Sequence, residues 1–528
     1  MTEGEARGAQ AMNLGRLLTQ TARRLPYAPA LRWREAVWSW AELDARVDRL
    51  ASVLRARGVG KGDRVLVHSR NTNVMFESLW ASWKVGAVWV PTNFRLTPPE
   101  VAYLGSASRA AVMLRDQGFA AHADAVRQAS PHLRHVLAVG DAGPQEEDYE
   151  AALAAAEPPP PDHEAVVAPD DPCWFFFTSG TTGRPKAAVL TFGQMGFVVV
   201  NHCADLMPGL TERDVSLVIA PLSHGAGIHA LAQVARGACS VLMPTERLET
   251  GQAWRLIAEH GVTNMFTVPT ILTALAEDPA AAPHRLRHVI YAGAPMYRAD
   301  QKRALERLGP CLVQYFGLGE VTGNITVLRP DQHSLDDSDP RIGSCGMPRT
   351  GMDLAIMDEA GARLPPGATG EICVRGPAVC AGYFENAEAN RKAFREGWFR
   401  TGDLGHLDAA GFLHVTGRAS DMYISGGSNV YPREVEEAIL THPDVLECAV
   451  VGVPDPRWGE AGVACIVARP GREVTAADIE AHLRPRLARY KMPQRCVFWD
   501  ELPKSGYGKV PKMLLRQRIA EGSGTRSR

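Results

Sequence analysis

The chain has 528 residues, 45% of them hydrophobic and 22% charged, and its 57 Lys and Arg nearly balance 59 Asp and Glu for a formal net charge of −2. Such a chain supports about three or four folding units, which excludes a disulfide-stapled miniature and a disordered tail protein. Near-neutrality gives no basic field for a nucleic-acid partner, so any phosphate chemistry must use local charges.

The ten cysteines occur singly, without a CxxC pair. That pattern suits reduced, buried thiols better than zinc or a disulfide framework. His224 and His229 are five apart, a spacing that does not put them on one helix face. The first fifteen residues, MTEGEARGAQAMNLG, lack an apolar run behind a basic start. Nowhere do roughly eighteen apolar residues follow one another, so the expectation is a cytoplasmic protein without a membrane span.

In chain order, the first clear helix lies in AELDARVDRLASVLRARGVG, where Leu43, Val47, Leu50, Val53 and Leu54 recur at three- and four-residue spacing until Gly58. Asp63 to His68 then reads as a strand. Helix and strand continue to alternate through FESLWASWKVGAVWVPTN, the pattern of an α/β fold. Residues 140–172, with the proline run Pro158 to Pro161, predict a surface connection.

Next comes CWFFFTSGTTGRPKAAVLT. The apolar run Cys173 to Phe177 predicts a strand, Ala187 to Leu190 the returning one, and between them stand Thr178, Ser179, Gly180, Thr181, Thr182, Gly183, Arg184 and Lys186. Glycines let backbone N–H groups approach phosphate oxygens, hydroxyls donate further bonds, and the two cations offset charge. Gly180, Gly183 and Lys186 are three apart, so the Walker spacing is absent and a P-loop NTPase is disfavoured. A last boundary is expected near Arg418 to Asp421, dividing the chain into 1–419 and 420–528. The second piece holds a helix signal at Pro432, Val435, Ala438 and Ile439 before Pro443.

From the threonine-rich loop onward the chain resembles the adenylate-forming superfamily: acyl-CoA synthetases, aryl-CoA ligases, luciferases and peptide-synthetase adenylation domains. The resemblance runs from about residue 13 to about residue 515. It implies a large N-terminal α/β adenylation domain with parallel-rich sheets and a small mobile α+β C-terminal domain.

In VQYFGLGEVTG, where the family usually has Tyr-Gly-x-Thr-Glu, the resemblance assigns Phe316 and Gly317 to the adenine side and Glu320 to Mg²⁺. Gly319 replaces the family's Thr, with Thr322 a candidate substitute for the missing hydroxyl. YAGAP places Gly293, Ala294 and Pro295 against adenine; GWFRTGDLG and GFLHVTGRASD place Asp403 on the ribose and Arg418 on sugar or phosphate. PKSGYGKVPK supplies Lys509 as the lysine of the first half-reaction, with Gly506 and Tyr507 looser matches. His224 stands at the carboxylate end of the acid pocket, beside Gly225, Ala226 and Gly227, in a stretch without arginine.

The implied activity is an ATP-dependent acid:CoA ligase, acting on a medium- or long-chain fatty acid or an aromatic acid through an acyl-AMP, with ATP, CoA and Mg²⁺. After adenylation the small domain would turn about Ser420, bringing Ser425, Gly426 and Gly427 to the pantetheine of CoA. Activation of an acid or amino acid for a carrier protein is the first alternative, though PLSHGAGIH offers no Asp for an α-amine. Luciferase-like oxidation ranks lower, and an inactive nucleotide-binding module is the alternative of another class. The identity of the acid and the choice between monomer and homodimer stay open.

Overall fold

A computed structural model of the chain describes residues 12–178, 184–281, 283–425, 428–504 and 510–522. Two parallel-rich sheets and one antiparallel sheet precede a fourth sheet built from Tyr423 onward. The helix expected after residue 40 spans Trp40–Ala56, with Ser39 and Glu42 forming a capping box at its start. Gly58, at φ +69°, follows its end as the left-handed residue that only glycine adopts without strain.

The first sheet has seven strands in the order Glu147–Asp148, His135–Ala138, Val112–Arg115, Arg64–His68, Val88–Pro91, Pro172–Thr178 and Lys186–Thr191. All neighbours are parallel except the last two, which form the expected hairpin with Thr178 opposite Lys186. Aromatic burial fixes where this hairpin ends. Trp174 packs edge-on against Trp89 at 4.5 Å, and the Trp83 indole donates to the Cys173 carbonyl at 2.8 Å. The expected surface connection 140–172 is only partly that: Glu147–Asp148 adds a strand to this sheet and Tyr149–Ala155 forms a helix that buries Tyr149 and Leu153, while 156–171 carries no helix or strand element.

The second sheet has nine strands. Its centre runs Leu312–Phe316, His288–Tyr291, Asn264–Thr267, Val215–Val218, Cys239–Leu242 and Pro29–Trp33, all parallel, with antiparallel strands at both edges. Parallel strands buried on both faces read as continuous apolar runs, which is why single-face alternation is weak here. In the third sheet, Trp398–Leu407 pairs antiparallel with Leu413–Arg418, putting Asp403 opposite Arg418.

Beyond Arg418 a turn through exposed Ser420 leads to the last sheet, whose long strands are Val445–Asp455 and Gly459–Ala468. The helix Pro432–Leu440 packs on this sheet through Val435 and Ile439 and also reaches the preceding one: Arg433 Nη1 donates to the Val415 carbonyl at 2.9 Å. Burial, with the charge of Glu436 next, pushes the Tyr297 phenol well up. All ten cysteines are free thiols, eight of them buried. Among the described residues no helix is long and apolar enough to cross a membrane.

Candidate active site

In parallel α/β sheets, ligands bind where strands end at their carboxyl edge. Four of the predicted segments lie at such ends. Thr178 closes its strand in the first sheet; in the second, the strands ending at Val218, Tyr291 and Phe316 lead into His224, Gly293 to Pro295, and Gly317. Gly293 has φ +86°, the left-handed turn that carries the chain from strand to the helix Arg298–Leu308.

The best-defined cluster surrounds Glu320, 6% exposed on the short 3₁₀ helix Gly319–Val321. The Thr178 hydroxyl donates to its Oε1 at 2.8 Å and the Tyr383 hydroxyl to the same oxygen at 2.9 Å. No donor among the described residues reaches Oε2. Lys186 Nζ lies over the same Tyr383 ring, 5.5 Å from its centroid. Arg184 packs over Tyr103 at 5.6 Å, and the Tyr103 hydroxyl donates to the Pro185 carbonyl at 3.0 Å. One carboxylate with hard oxygen atoms, steered by two hydroxyls, fits a Mg²⁺ ligand.

The departure at Gly319 has a steric cause. A Cβ there would stand 2.5 Å from Cδ1 and Cε1 of Phe176 and 2.9 Å from Cγ2 of Thr178. The Phe176 ring fills the room a threonine needs. Thr322 does not replace the hydroxyl: it is 1% exposed, its Oγ1 donates to the Val321 carbonyl at 2.6 Å, and it accepts from Asn324 Nδ2 at 2.9 Å. Its φ of 51° is rare for a β-branched residue, a local strain next to the glutamate.

Asp403 is 5% exposed and accepts from Arg418 Nε at 3.0 Å. The two ribose-side residues therefore stand together across the pair of strands. His224 caps the helix Gly225–Arg236, and its ring lies 4.5 Å from Phe176. Gly225 admits the Phe266 ring, whose Cζ would be 2.3 Å from a Cβ, and Phe266 stacks on Tyr315 at 5.9 Å. Phe316 lies half-buried at its strand end. Gly317 packs against Gly323, since a Cβ would meet the Gly323 Cα at 2.4 Å. Ser179, Gly180, Thr181, Thr182, Gly183, Gly426, Gly427, Gly506, Tyr507 and Lys509 lie outside the described residues.

Tyr383 escapes sequence reasoning because it is 63 positions from the carboxylate it serves. Arg349, just past the edge strand Met347–Pro348, likewise lies far in sequence from Asp205, the nearest carboxylate to its guanidinium.

The comparisons agree with this geometry. Residues 18–384 match the family model described as AMP-binding enzyme, and residues 434–509 the one described as AMP-binding enzyme C-terminal domain. The chain is 38% identical over 96% of its length to a feruloyl-CoA synthase of Amycolatopsis sp, covering 99% of that protein. It is 35% identical over 96% of its length to the indoleacetate–CoA ligase of Aromatoleum aromaticum, covering 98% of it. The o-succinylbenzoate CoA synthetase of Bacillus subtilis, solved with its acyl-adenylate, superposes with a TM-score of 0.84 at 31% identity, over 95% of this chain and 97% of that one. The chain belongs to the AMP-binding enzyme family of adenylate-forming proteins, within its acyl-CoA synthetase branch. It is an AMP-forming acid–thiol ligase.

Proposed function

We propose that the two half-reactions run at the Glu320 cluster on an aromatic carboxylic acid, with residues 1–419 holding ATP and acid and residues 420–528 delivering Lys509. A carboxylate has no good leaving group; attack on the α-phosphorus of ATP forms the acyl–phosphate bond of an acyl-AMP and expels pyrophosphate. The obstacle is electrostatic: at an effective dielectric of about 20, two unit charges 4 Å apart interact by ~4 kcal/mol, and the triphosphate carries several. Lys186 and Arg184 from the hairpin, with Lys509 from the C-terminal piece, are the groups assigned to offset that repulsion. Glu320 would hold Mg²⁺, which when bound supplies further charge neutralisation to the phosphates.

Phe316, Gly317 and Gly293 to Pro295 are assigned to adenine, Asp403 and Arg418 to ribose and phosphate, and Ser179 to Thr182 to the departing phosphates. His224, at the head of its helix, orients the acid's carboxylate. In the second half-reaction the CoA thiol attacks the acyl carbon and AMP leaves, with Ser420 as the turning point and Gly426 and Gly427 along the pantetheine.

The observation that carries the reading is the convergence of Thr178 and Tyr383 on Glu320 at the mouth of the hairpin, with Lys186 over the Tyr383 ring. Rings support an aromatic acid: Phe176, Phe266 and Tyr315 succeed one another from His224 inward. The test is pyrophosphate release over a panel of acids, with and without CoA. Acid-dependent release, followed by AMP and thioester only when CoA is present, is expected. Adenylate that CoA never discharges would reassign the acceptor to a carrier-bound thiol, and no release with any acid would leave an inactive nucleotide-binding module.

A further inference from the structure

Arg349 follows the edge strand Met347–Pro348, and its side chain is fully buried. A guanidinium has five N–H donors, and burial makes each unmet donor costly. Nη1 reaches only the Gly323 carbonyl, at 3.4 Å; Nε and Nη2 have no hydrogen-bond partner. The nearest carboxylate, Asp205, is 3.8 Å from Nε, and its oxygens already accept from Thr350 N at 2.8 Å, Thr350 Oγ1 at 2.9 Å and Asn201 Nδ2 at 3.1 Å. Asp205 balances the charge of Arg349 without satisfying its donors.

Two histidines extend this row. His202, 1% exposed, has neither ring nitrogen bonded. His229, 6.2 Å away ring to ring, has Nε2 within 2.9 Å of Asn264 Oδ1 while its Nδ1 is unmet. Burial pushes both rings down, His229 to about 4, so they are neutral near pH 7. Buried polar atoms in native proteins nearly always have partners. Five such orphans gathered in these side chains leave polar capacity that a ligand oxygen could meet.

Packed rings link this row to His224. Gly323, which meets Arg349, lies against the Tyr315 ring, where a Cβ would be 2.4 Å from Cε2. Tyr315 stacks on Phe266, which lies 6.5 Å from His229 and covers Gly225 beside His224. We propose that Arg349, His202 and His229 bind a neutral oxygen substituent at the far end of the acid, making ring acids with a distal hydroxyl or carbonyl the preferred substrate class. This rests on the acid:CoA ligase reading above. A hydroxyl suits the site because it accepts from the guanidinium and donates to an imidazole nitrogen; a second carboxylate would face Asp205.

The experiment compares kcat/KM for 4-hydroxycinnamic acid, cinnamic acid, 4-carboxycinnamic acid and decanoic acid, in wild type and in Arg349→Leu and His202→Phe. A site built around a substrate hydroxyl rejects the analogue lacking it strongly, so wild type is expected to favour the hydroxylated acid over cinnamic acid by at least about a hundredfold. Each variant is expected to bring that ratio below about tenfold, a change that loss of stability alone does not produce. Equal use of the two cinnamic acids by wild type overturns the proposal while the ligase reading stands. So does preference for the dicarboxylate or for decanoic acid, or a ratio unmoved by either variant. If Arg349→Leu fails to fold, His202→Phe and the wild-type ratios decide. Wild type inert toward all four acids overturns the proposal, because the hydroxylated acid it requires is then no substrate, and leaves the ligase reading to the wider acid panel.

Discussion

Restoring the family's threonine at position 319 tests whether Phe176 and Gly319 form a compensated pair. The new Cβ would lie 2.5 Å from the Phe176 ring, which is 6% exposed and held between Trp174 at 5.9 Å and His224 at 4.5 Å. The ring has nowhere to swing, so Gly319→Thr is expected to cost ~1–3 kcal/mol, the usual price of overpacking. Phe176→Leu alone is expected to cost roughly 1–2 kcal/mol, less than the ~3–5 kcal/mol of truncation to Ala. In the double variant the smaller side chain vacates the space that the threonine needs. Urea unfolding of the four proteins should give a favourable coupling of about 1 kcal/mol or more, and kcat/KM for ATP, reduced in Gly319→Thr because Thr178 is displaced from Glu320, should recover in part. Costs that add to within about 0.5 kcal/mol would refute the pairing.

Tyr383→Phe removes one of the two donors to Glu320; a hydrogen bond to a charged group contributes ~1.5–3 kcal/mol, so kcat/KM for Mg·ATP is expected to fall roughly 10–100-fold, with the melting temperature nearly unchanged. Lys84→Met leaves Asp44 and Asp48 facing each other around a fully buried position and should destabilise by ~3–5 kcal/mol in urea, whereas an effect under about 1 kcal/mol would contradict the buried network. Burial lowers His68 to about 3 and His229, His288 and His333 to about 4. Because these values lie below the unfolded value of ~6.5, the unfolded chain binds more protons between them; stability is full above pH ~6.5 and falls toward pH ~4, by up to about 1.4 kcal/mol per pH unit for each histidine. His68→Asn should flatten that slope in pH-dependent denaturation. Lys509→Ala should reduce acyl-AMP formation by orders of magnitude yet spare thioester formation from supplied acyl-AMP, and equal loss of both would contradict its role.

What the sequence shows and what it hides follow one physical rule. The hairpin from Pro172 to Thr191, the helix after Ser39 and the helix at Pro432 are contiguous, so periodicity and turn residues reveal them. Thr178 and Lys186 stand in a compact phosphate-type loop whose residue chemistry reveals it, whereas Glu320 is reached only through the family resemblance of its motif. Tyr383 and Arg349 carry no local signature; their partners lie at remote positions, and only the finished sheets bring them together. Gly319 is the intermediate case: the departure is visible in the chain, whereas its reason, an aromatic ring from another strand, is not.

Tyr297 lies two residues past Pro295, at the head of the helix Arg298–Leu308, and burial together with the charges of Glu436 and Glu437 pushes its phenol up. The near-ultraviolet absorbance of this phenol therefore reports from a point two residues from Gly293 to Pro295 that also feels the charge of the helix Pro432–Leu440.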